Sequence, residues 1–357
     1  MTIADLDTPA VVVDLDIFER NLTRVADYAA HHNLRLRPHT KTHKSPDVAR
    51  MQLALGAAGL TVAKVGEAEV MSAALAQPDL DLLVAFPIFG ALKVKRLRAV
   101  AERCNVTVAL DSLEAARQLE GTGAAVLVEV DVGLGRVGVT PDEALELARQ
   151  VQRIPGVRFR GLTFYPGHIR QPDEAAIAKL SQVVGGMVER FRAAGLPCEI
   201  VSGGSTPTLF HSHEVEGVNE IRPGTYVFND LNTVASGECT LNDCAASVLV
   251  TVASMPRTHT AIVDGGSKTF SSDRLSGSEG VTFGRVVEAP GTRFHKMNEE
   301  HGFLDTEKSE RRLELGQKIR VIPNHVCVVM NLHEFVYGVR GEAVEKIWKV
   351  EARGRLQ

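Results

Sequence analysis

The sequence predicts an α/β fold, a (β/α)8 TIM-type barrel followed by a mainly β C-terminal domain, on three observations. Between residues 10 and 230, short β-branched runs alternate with longer stretches rich in Ala, Leu, Glu and Arg, the alternation of a parallel α/β fold. From Arg35 onward this makes about eight units, the number that closes a barrel. Polar and reactive residues recur at the C-terminal ends of the expected strands, where a barrel assembles its site. An open doubly wound sheet is the rival arrangement.

The elements follow in order. After an opening strand at Ala10–Asp14, the candidates are Arg35–Lys41, Leu60–Lys64, Asp81–Phe86, Asn105–Asp111, Ala125–Asp131, Arg158–Tyr165, Glu199–Gly204 and Asn219–Phe228. Lys41, Lys64, Phe86, Asp111, Asp131, Tyr165, Gly203-Gly204 and Tyr226 fall at or just beyond their ends. Downstream the character changes. Ala245–Ala253, Thr260–Val263, Arg285–Ala289, Lys318–Ile322, Val326–Leu332 and Glu345–Val350 read as β segments with few helical stretches between them. This divides the chain into a barrel domain, residues 1–234, and a β domain, residues 235–357. The charged segment Met297–Arg312, with Gly302 inside it, reads as a surface excursion.

Composition narrows the function. A chain of 357 residues, 44% hydrophobic and 24% charged, buries a full core and suits two domains. A net charge of −4 with a pI near 6.3 gives no electrostatic footprint for nucleic acid or an anionic membrane. No apolar run approaches the roughly 20 residues of a spanning helix. A small molecule is therefore the expected partner. The opening Met1-Thr2-Ile3-Ala4-Asp5 has no basic head before an apolar stretch, so a cytoplasmic location is expected. Cys104, Cys198, Cys239, Cys244 and Cys327 are odd in number and scattered, which points to reduced thiols.

Three motifs carry chemistry. Lys41, in Arg37-Pro38-His39-Thr40-Lys41-Thr42-His43-Lys44, ends an alternating strand beside two histidines, and a lysine held there can form a Schiff base with an aldehyde cofactor. In isolation the same string is a solvated basic turn. Ser202-Gly203-Gly204-Ser205-Thr206 follows the strand Glu199-Ile200-Val201 and reads as an anion cradle, in which two glycines let the backbone approach while hydroxyls and N–H groups donate to a phosphate. It has neither the Gly-Lys-Ser/Thr ending of a nucleotide loop nor glycines spaced for a dinucleotide. An ordinary tight turn is its alternative; opposite a rim lysine, it suggests pyridoxal phosphate. His325-Val326-Cys327 puts an imidazole and a thiol two residues apart, on one face of an extended strand, as a pair suited to zinc. Two protein ligands leave room for water and a substrate oxygen, the condition for a catalytic metal. A core cysteine beside a hydrogen-bonded histidine is the plainer reading. His301 can add a substrate contact or simply sit in a charged loop.

With these pieces together, the chain resembles the D-serine dehydratase and D-threonine aldolase family, fold-type III pyridoxal phosphate enzymes related to alanine racemase. The resemblance runs through Thr8–Asp14, Arg37–Lys44, Gly135–Gly138, Tyr165 with Gly167-His168, Ser202–Thr206, Arg222–Phe228, Asp264–Lys268 and Pro323–Cys327. It implies a barrel followed by a β domain, which residues 1–12 can join, and a homodimer. Carried over residue by residue, it makes Lys41 the Schiff-base lysine and places Gly203, Gly204, Ser205, Thr206 and Tyr226 on the phosphate. Arg136 and Tyr165 would flank the cofactor ring, and His325 and Cys327 would bind the metal. Lys44 is assigned a surface or substrate-charge role.

The implied activity is that of a lyase on D-3-hydroxy amino acids. For dehydration, Lys41 removes the α-proton while the metal assists loss of the β-hydroxyl, giving a 2-oxo acid and ammonia. For aldol cleavage, a base such as His168 takes the hydroxyl proton and the Cα–Cβ bond breaks, giving glycine and an aldehyde. His-x-Cys is similar to the zinc-dependent dehydratases, whereas a carboxylate in place of the thiol would suit manganese or magnesium. Dehydration is therefore the leading expectation, with D-threonine aldolase as the alternative. An amino-acid racemase would need a second acid/base residue, for which Tyr337 is the available tyrosine, and a cofactor carrier would need no β domain.

Overall fold

The computed structural model describes residues 1–277 and 280–357. The chain divides into two compact units: a barrel unit of Thr23–Lys41, Pro46–Gly224 and Gly354–Gln357, and a β unit of Met1–Leu22, Thr42–Ser45 and Thr225–Arg353.

In chain order the strands begin with β1 (Ala10–Asp14), in the β unit. The barrel unit holds β2 (Arg35–Leu36), β3 (Leu60–Val62), β4 (Asp81–Val84), β5 (Asn105–Leu110), β6 (Ala125–Val130), β7 (Arg158–Phe164), β8 (Ile200–Gly203) and β9 (Glu220–Ile221). They form one parallel eight-stranded sheet in the order β2-β9-β8-β7-β6-β5-β4-β3. A parallel bridge from His39 to Thr61 joins its two ends, so the expected barrel is closed. The strands are almost wholly buried, as β-branched and leucine runs covered on both faces must be. Several are shorter than expected: regular pairing ends at Leu36 and Ile221 because Pro38 and Pro223 lack the N–H a ladder requires.

The barrel interior also carries charge. Arg37, 1% exposed, pairs with Asp81 at 3.1 Å and Glu220 at 2.9 Å, while Arg160 meets Asp81 at 3.0 Å and Glu199 at 2.7 Å. Burial opposes ionisation of Asp81, but the two guanidinium groups overcome it and hold the carboxyl below its usual range.

The β unit contains β10 (Ala246–Arg257), β11 (Thr260–Val263), β12 (Leu275–Gly277), β13 (Gly280–Thr282), β14 (Gly284–Val286), β15 (Arg293–Met297), β16 (Gly302–Asp305), β17 (Lys318–Pro323), β18 (Phe335–Arg340) and β19 (Ala343–Lys349). Nine strands form one sheet, β11-β16-β15-β14-β17-β10-β1-β18-β19, and a further pairing of β10 with β11 curls it into a barrel-like ring. β1 runs antiparallel to β10 and parallel to β18.

Two expectations are corrected here. Met297–Arg312 is no simple surface excursion: it contains β16, antiparallel to β15, with a buried Gly302 where a side chain would strike the Gly265 carbonyl. Val326–Leu332 is a helix, not a strand. Its buried residues Val326, Val329 and Met330 follow a three-four spacing, which in so short an apolar run is indistinguishable by eye from a strand.

Candidate active site

The barrel unit gathers most of the residues singled out from sequence on one rim. Lys41 lies in a short 3-10 turn, Thr40–Thr42, beyond β2, with its side chain exposed and its N–H donating to His39 Nδ1 at 3.4 Å. Gly203, Gly204, Ser205 and Thr206 leave the end of β8. Only β9 separates β8 from β2, and the strands are parallel, so lysine and cradle emerge from the same end of the barrel. The glycines have distinct reasons. A Cβ on Gly203 would run into the Phe164 ring, and Gly204 holds φ +95°, a conformation that L side chains rarely adopt. Ser205 is buried and its hydroxyl meets Thr208 Oγ1 at 3.1 Å, while Thr208 Oγ1 also accepts from the Ser205 N–H at 3.1 Å.

The next strands of the rim supply Arg136, Tyr165 and His168. The Arg136 guanidinium lies over the Tyr165 ring, 4.6 Å from its centroid. Two strand-end aspartates fix the loop that carries the arginine: Asp131 accepts from the N–H groups of Gly133, Leu134 and Gly135, and Asp111 accepts from Gly138 N at 2.9 Å. Those backbone donors lower the Asp131 pKa. His168 is exposed, with its imidazole close to Gly133.

Sequence reasoning quoted the Arg222-Pro223-Gly224 motif but gave Arg222 no role. The structure makes it prominent. Its Nη2 donates to the Phe164 carbonyl at 2.9 Å, its backbone N–H donates to Gly203 O at 3.3 Å, and its buried Nη1 has no hydrogen-bond partner among the described residues. A buried donor left open beside the cradle is the kind of atom a bound group satisfies. Burial lowers the Arg222 pKa and raises that of Glu129 on β6, whose charge in turn favours the guanidinium.

Tyr226, His325 and Cys327 lie in the β unit. Tyr226 is buried, in the short 3-10 turn Thr225–Val227. His325 caps the helix Val326–Leu332 with extended backbone angles, φ −138° and ψ 113°, and Cys327 sits in its first turn. The expected strand geometry is thus wrong, yet the Cys327 sulfur remains near enough to the His325 ring to favour its charged form. The organiser that sequence reasoning missed is Asp230, fully buried. Its Oδ2 lies 3.1 Å from His325 Nδ1 and accepts from Val326 N at 3.0 Å, and its Oδ1 accepts from Thr233 N at 3.0 Å. The only sequence signal was an Asn-Asp pair before an apolar run, an ordinary N-cap pattern. Burial by itself would lower the His325 pKa; the Asp230 carboxylate and the Cys327 sulfur push it up to about 11. The Cys327 thiol donates to Thr42 Oγ1 at 3.3 Å, and Thr42 is the residue after Lys41. Among the described residues, no group of three or more His, Cys, Asp and Glu is placed to hold a metal ion.

Lys44 is corrected as well. Far from a surface position, it is 5% exposed at φ +51°, and its Nζ donates to Asn331 Oδ1 at 2.9 Å. Burial takes the ammonium out of water, and the hydrogen bond to Asn331 offsets part of that cost.

A closed parallel barrel carrying a rim lysine and a glycine-containing loop, in one chain with a mainly antiparallel β unit, defines the alanine-racemase-like fold. The alanine racemase N-terminal domain model matches residues 13–231, and the serine dehydratase domain model matches residues 245–339. The D-threonine aldolase of Arthrobacter sp. is 34% identical over 99% of this chain and 94% of its own. D-threo-3-hydroxyaspartate dehydratase of Delftia sp. is 35% identical over 91% of this chain and 92% of its own. The crystal structure of D-threonine aldolase from Filomicrobium marinum superposes with a TM-score of 0.92 at 36% identity, covering 100% of this chain and 98% of that one. The chain belongs to the D-serine dehydratase and D-threonine aldolase family of fold-type III pyridoxal phosphate enzymes, whose named relatives are lyases, both aldolases and dehydratases. No helix among the described residues is long and apolar enough to cross a membrane.

Proposed function

We propose that this protein is a pyridoxal phosphate- and zinc-dependent lyase that eliminates water from a D-3-hydroxy amino acid, giving a 2-oxo acid and ammonia. The observation that carries the reading is the imidazole–thiol pair of His325 and Cys327, with His325 Nδ1 committed to Asp230. A histidine that ligates a metal characteristically gives its other ring nitrogen to a carboxylate, and a thiolate partner selects zinc over the harder manganese or magnesium. Two protein donors leave positions for water and a substrate oxygen, where zinc would act as a Lewis acid on a departing hydroxyl.

The barrel residues fit the organic cofactor equally well. Gly203, Gly204, Ser205 and Thr206 would hold its phosphate; Lys41 would carry its aldehyde carbon; Arg136 and Tyr165 would border its ring. When bound, pyridoxal phosphate provides the electron sink for the pair left at the substrate Cα. Lys41 Nζ then takes the Cα proton, as an exposed amine on a fixed turn can, and the same amine returns to its resting position after product leaves. The Arg136 side chain, stacked on Tyr165 and clamped through Asp131 and Asp111, brings a fixed positive charge to the rim, suited to a substrate carboxylate.

Aldol cleavage is the second reading, favoured by the D-threonine aldolases that align over nearly the whole chain. There, His168 would accept the β-hydroxyl proton. Incubating the zinc-loaded protein with D-threonine separates the two. 2-Oxobutanoate and ammonia are the expected products, whereas glycine and acetaldehyde would replace the dehydratase reading by the aldolase one.

A further inference from the structure

In the barrel unit the hydroxyl of Thr208, a residue 2% exposed, stands at the N-cap of a 3-10 turn, Leu209–Glu214. A threonine there ordinarily lends its oxygen to the N–H two or three residues ahead. Thr208 makes no such bond. Its side chain reaches back instead: Oγ1 accepts from Ser205 N at 3.1 Å and lies 3.1 Å from Ser205 Oγ, while Thr208 N donates to Ser205 Oγ at 3.3 Å.

These bonds settle where the hydroxyl protons go. Each hydroxyl has one proton to give and two lone pairs to fill. The acceptor open to the Thr208 proton among the described residues is Ser205 Oγ, which then accepts twice, from Thr208 Oγ1 and from Thr208 N. The Ser205 proton is left to donate elsewhere. The opposite sense would strand the Thr208 proton in a buried position, the costlier arrangement. On either side of Ser205, the N–H groups of Gly204 and Thr206 have no acceptor among the described residues. The loop thus presents donors, and a phosphate offers acceptor oxygens.

The support behind the loop is closed. Thr208 O accepts from Ser212 Oγ at 3.1 Å, Ser212 is 4% exposed, and a Cβ on Gly204 would stand 3.3 Å from that same Oγ. Gly204, Thr208 and Ser212 share with Phe164 and Leu180 a void of about 10 Å³, at the limit of what holds one water. Bulk water therefore cannot replace a lost hydroxyl.

We infer that Thr208 is a positioning residue for the phosphate of pyridoxal phosphate: its hydroxyl turns the Ser205 hydroxyl into an outward donor and holds the loop whose Gly204 and Thr206 N–H groups stay open. This rests on the reading of Gly203–Thr206 as the phosphate site. The test is equilibrium binding of pyridoxal phosphate and of pyridoxal, which lacks the phosphate, to the full-length protein freed of cofactor, followed by absorbance. Thr208→Val, of nearly the same shape, is expected to weaken pyridoxal phosphate about tenfold and to leave pyridoxal unchanged. Thr208→Ser keeps the hydroxyl and should stay within about twofold of wild type for both ligands. Ser212→Ala is expected to show the same selective loss at about threefold, and it decides the matter if Thr208→Val does not fold. Equal weakening of both ligands, weakening of neither, or a serine variant as poor as the valine one would overturn the inference and leave the phosphate site standing. Wild-type protein that binds pyridoxal as tightly as pyridoxal phosphate would overturn the phosphate site itself, and the role of Thr208 with it.

Discussion

Asp230 offers the sharpest test of how the β unit is organised. Its carboxylate is fully buried and serves three donors, Thr233 N and Val326 N at 3.0 Å each and His325 Nδ1 at 3.1 Å. Asp230→Ala removes an N-cap, worth about 0.5–2 kcal/mol, and leaves the Val326 N–H without an acceptor, worth about 1–3 kcal/mol, so about 2–5 kcal/mol of stability should go. Asp230→Asn keeps one oxygen, which can serve Thr233 or Val326 but not both, and should cost about 1–3 kcal/mol. Urea unfolding at unchanged slope reads both values. The same substitutions free the His325 ring, and loss of such a carboxylate partner lowers metal affinity about 10–100-fold, which zinc titration measures. If Asp230→Ala unfolds within about 0.5 kcal/mol of wild type, the ordinary range for a surface change, and binds zinc equally well, the clamp is not the organiser described here.

Three further outcomes are expected. Lys41→Ala should abolish lyase activity and borohydride-trapped labelling by pyridoxal phosphate, whereas Lys44→Ala should keep the label on Lys41 and lose about 1 kcal/mol with its buried hydrogen bond to Asn331; a label mapped to Lys44 would reverse the assignment. Chelation, or Cys327→Ala, should leave circular dichroism and pyridoxal phosphate binding largely intact while cutting turnover by orders of magnitude, with zinc restoring the chelated wild type; full activity in a preparation shown metal-free by elemental analysis would remove the metal from the reaction. Asp81→Ala should cost about 3–5 kcal/mol at neutral pH, since it leaves buried Arg37 and Arg160 without their shared carboxylate. Because the folded pKa of Asp81 lies below its unfolded value of about 3.9, its contribution is present above that value and fades as pH falls through the folded one. The variant's acid-unfolding limb should accordingly be shallower than that of wild type, and an unchanged limb would argue that the network is inert.

Hydrophobic periodicity showed the barrel, because eight buried parallel strands need near-continuous β-branched runs and their helices a different spacing. The same signal failed at Val326–Leu332, where seven apolar and polar residues suit either period and the carboxylate that accepts from the first helical N–H, Asp230, is 96 positions away in the chain. Lys44 failed for a related reason. A lysine in a basic string reads as solvated, and only its fold partner Asn331, 287 positions downstream, shows that it is buried.

What the sequence determined by itself was local and chemical: which segments alternate, that Lys41 follows a strand, that Gly203 and Gly204 precede two hydroxyls, and that His325 and Cys327 stand two residues apart. These follow from residue type and short spacing, which no tertiary arrangement alters. Only the tertiary structure decided that β1 belongs between β10 and β18, that Arg222 keeps a buried donor open beside the Gly203-Gly204 loop, and that Asp230 holds both His325 and the Val326 N–H. Each depends on burial and on partners far apart in the chain, and the cost of leaving a buried polar group unpaired is set by the folded surroundings rather than by its neighbours in sequence.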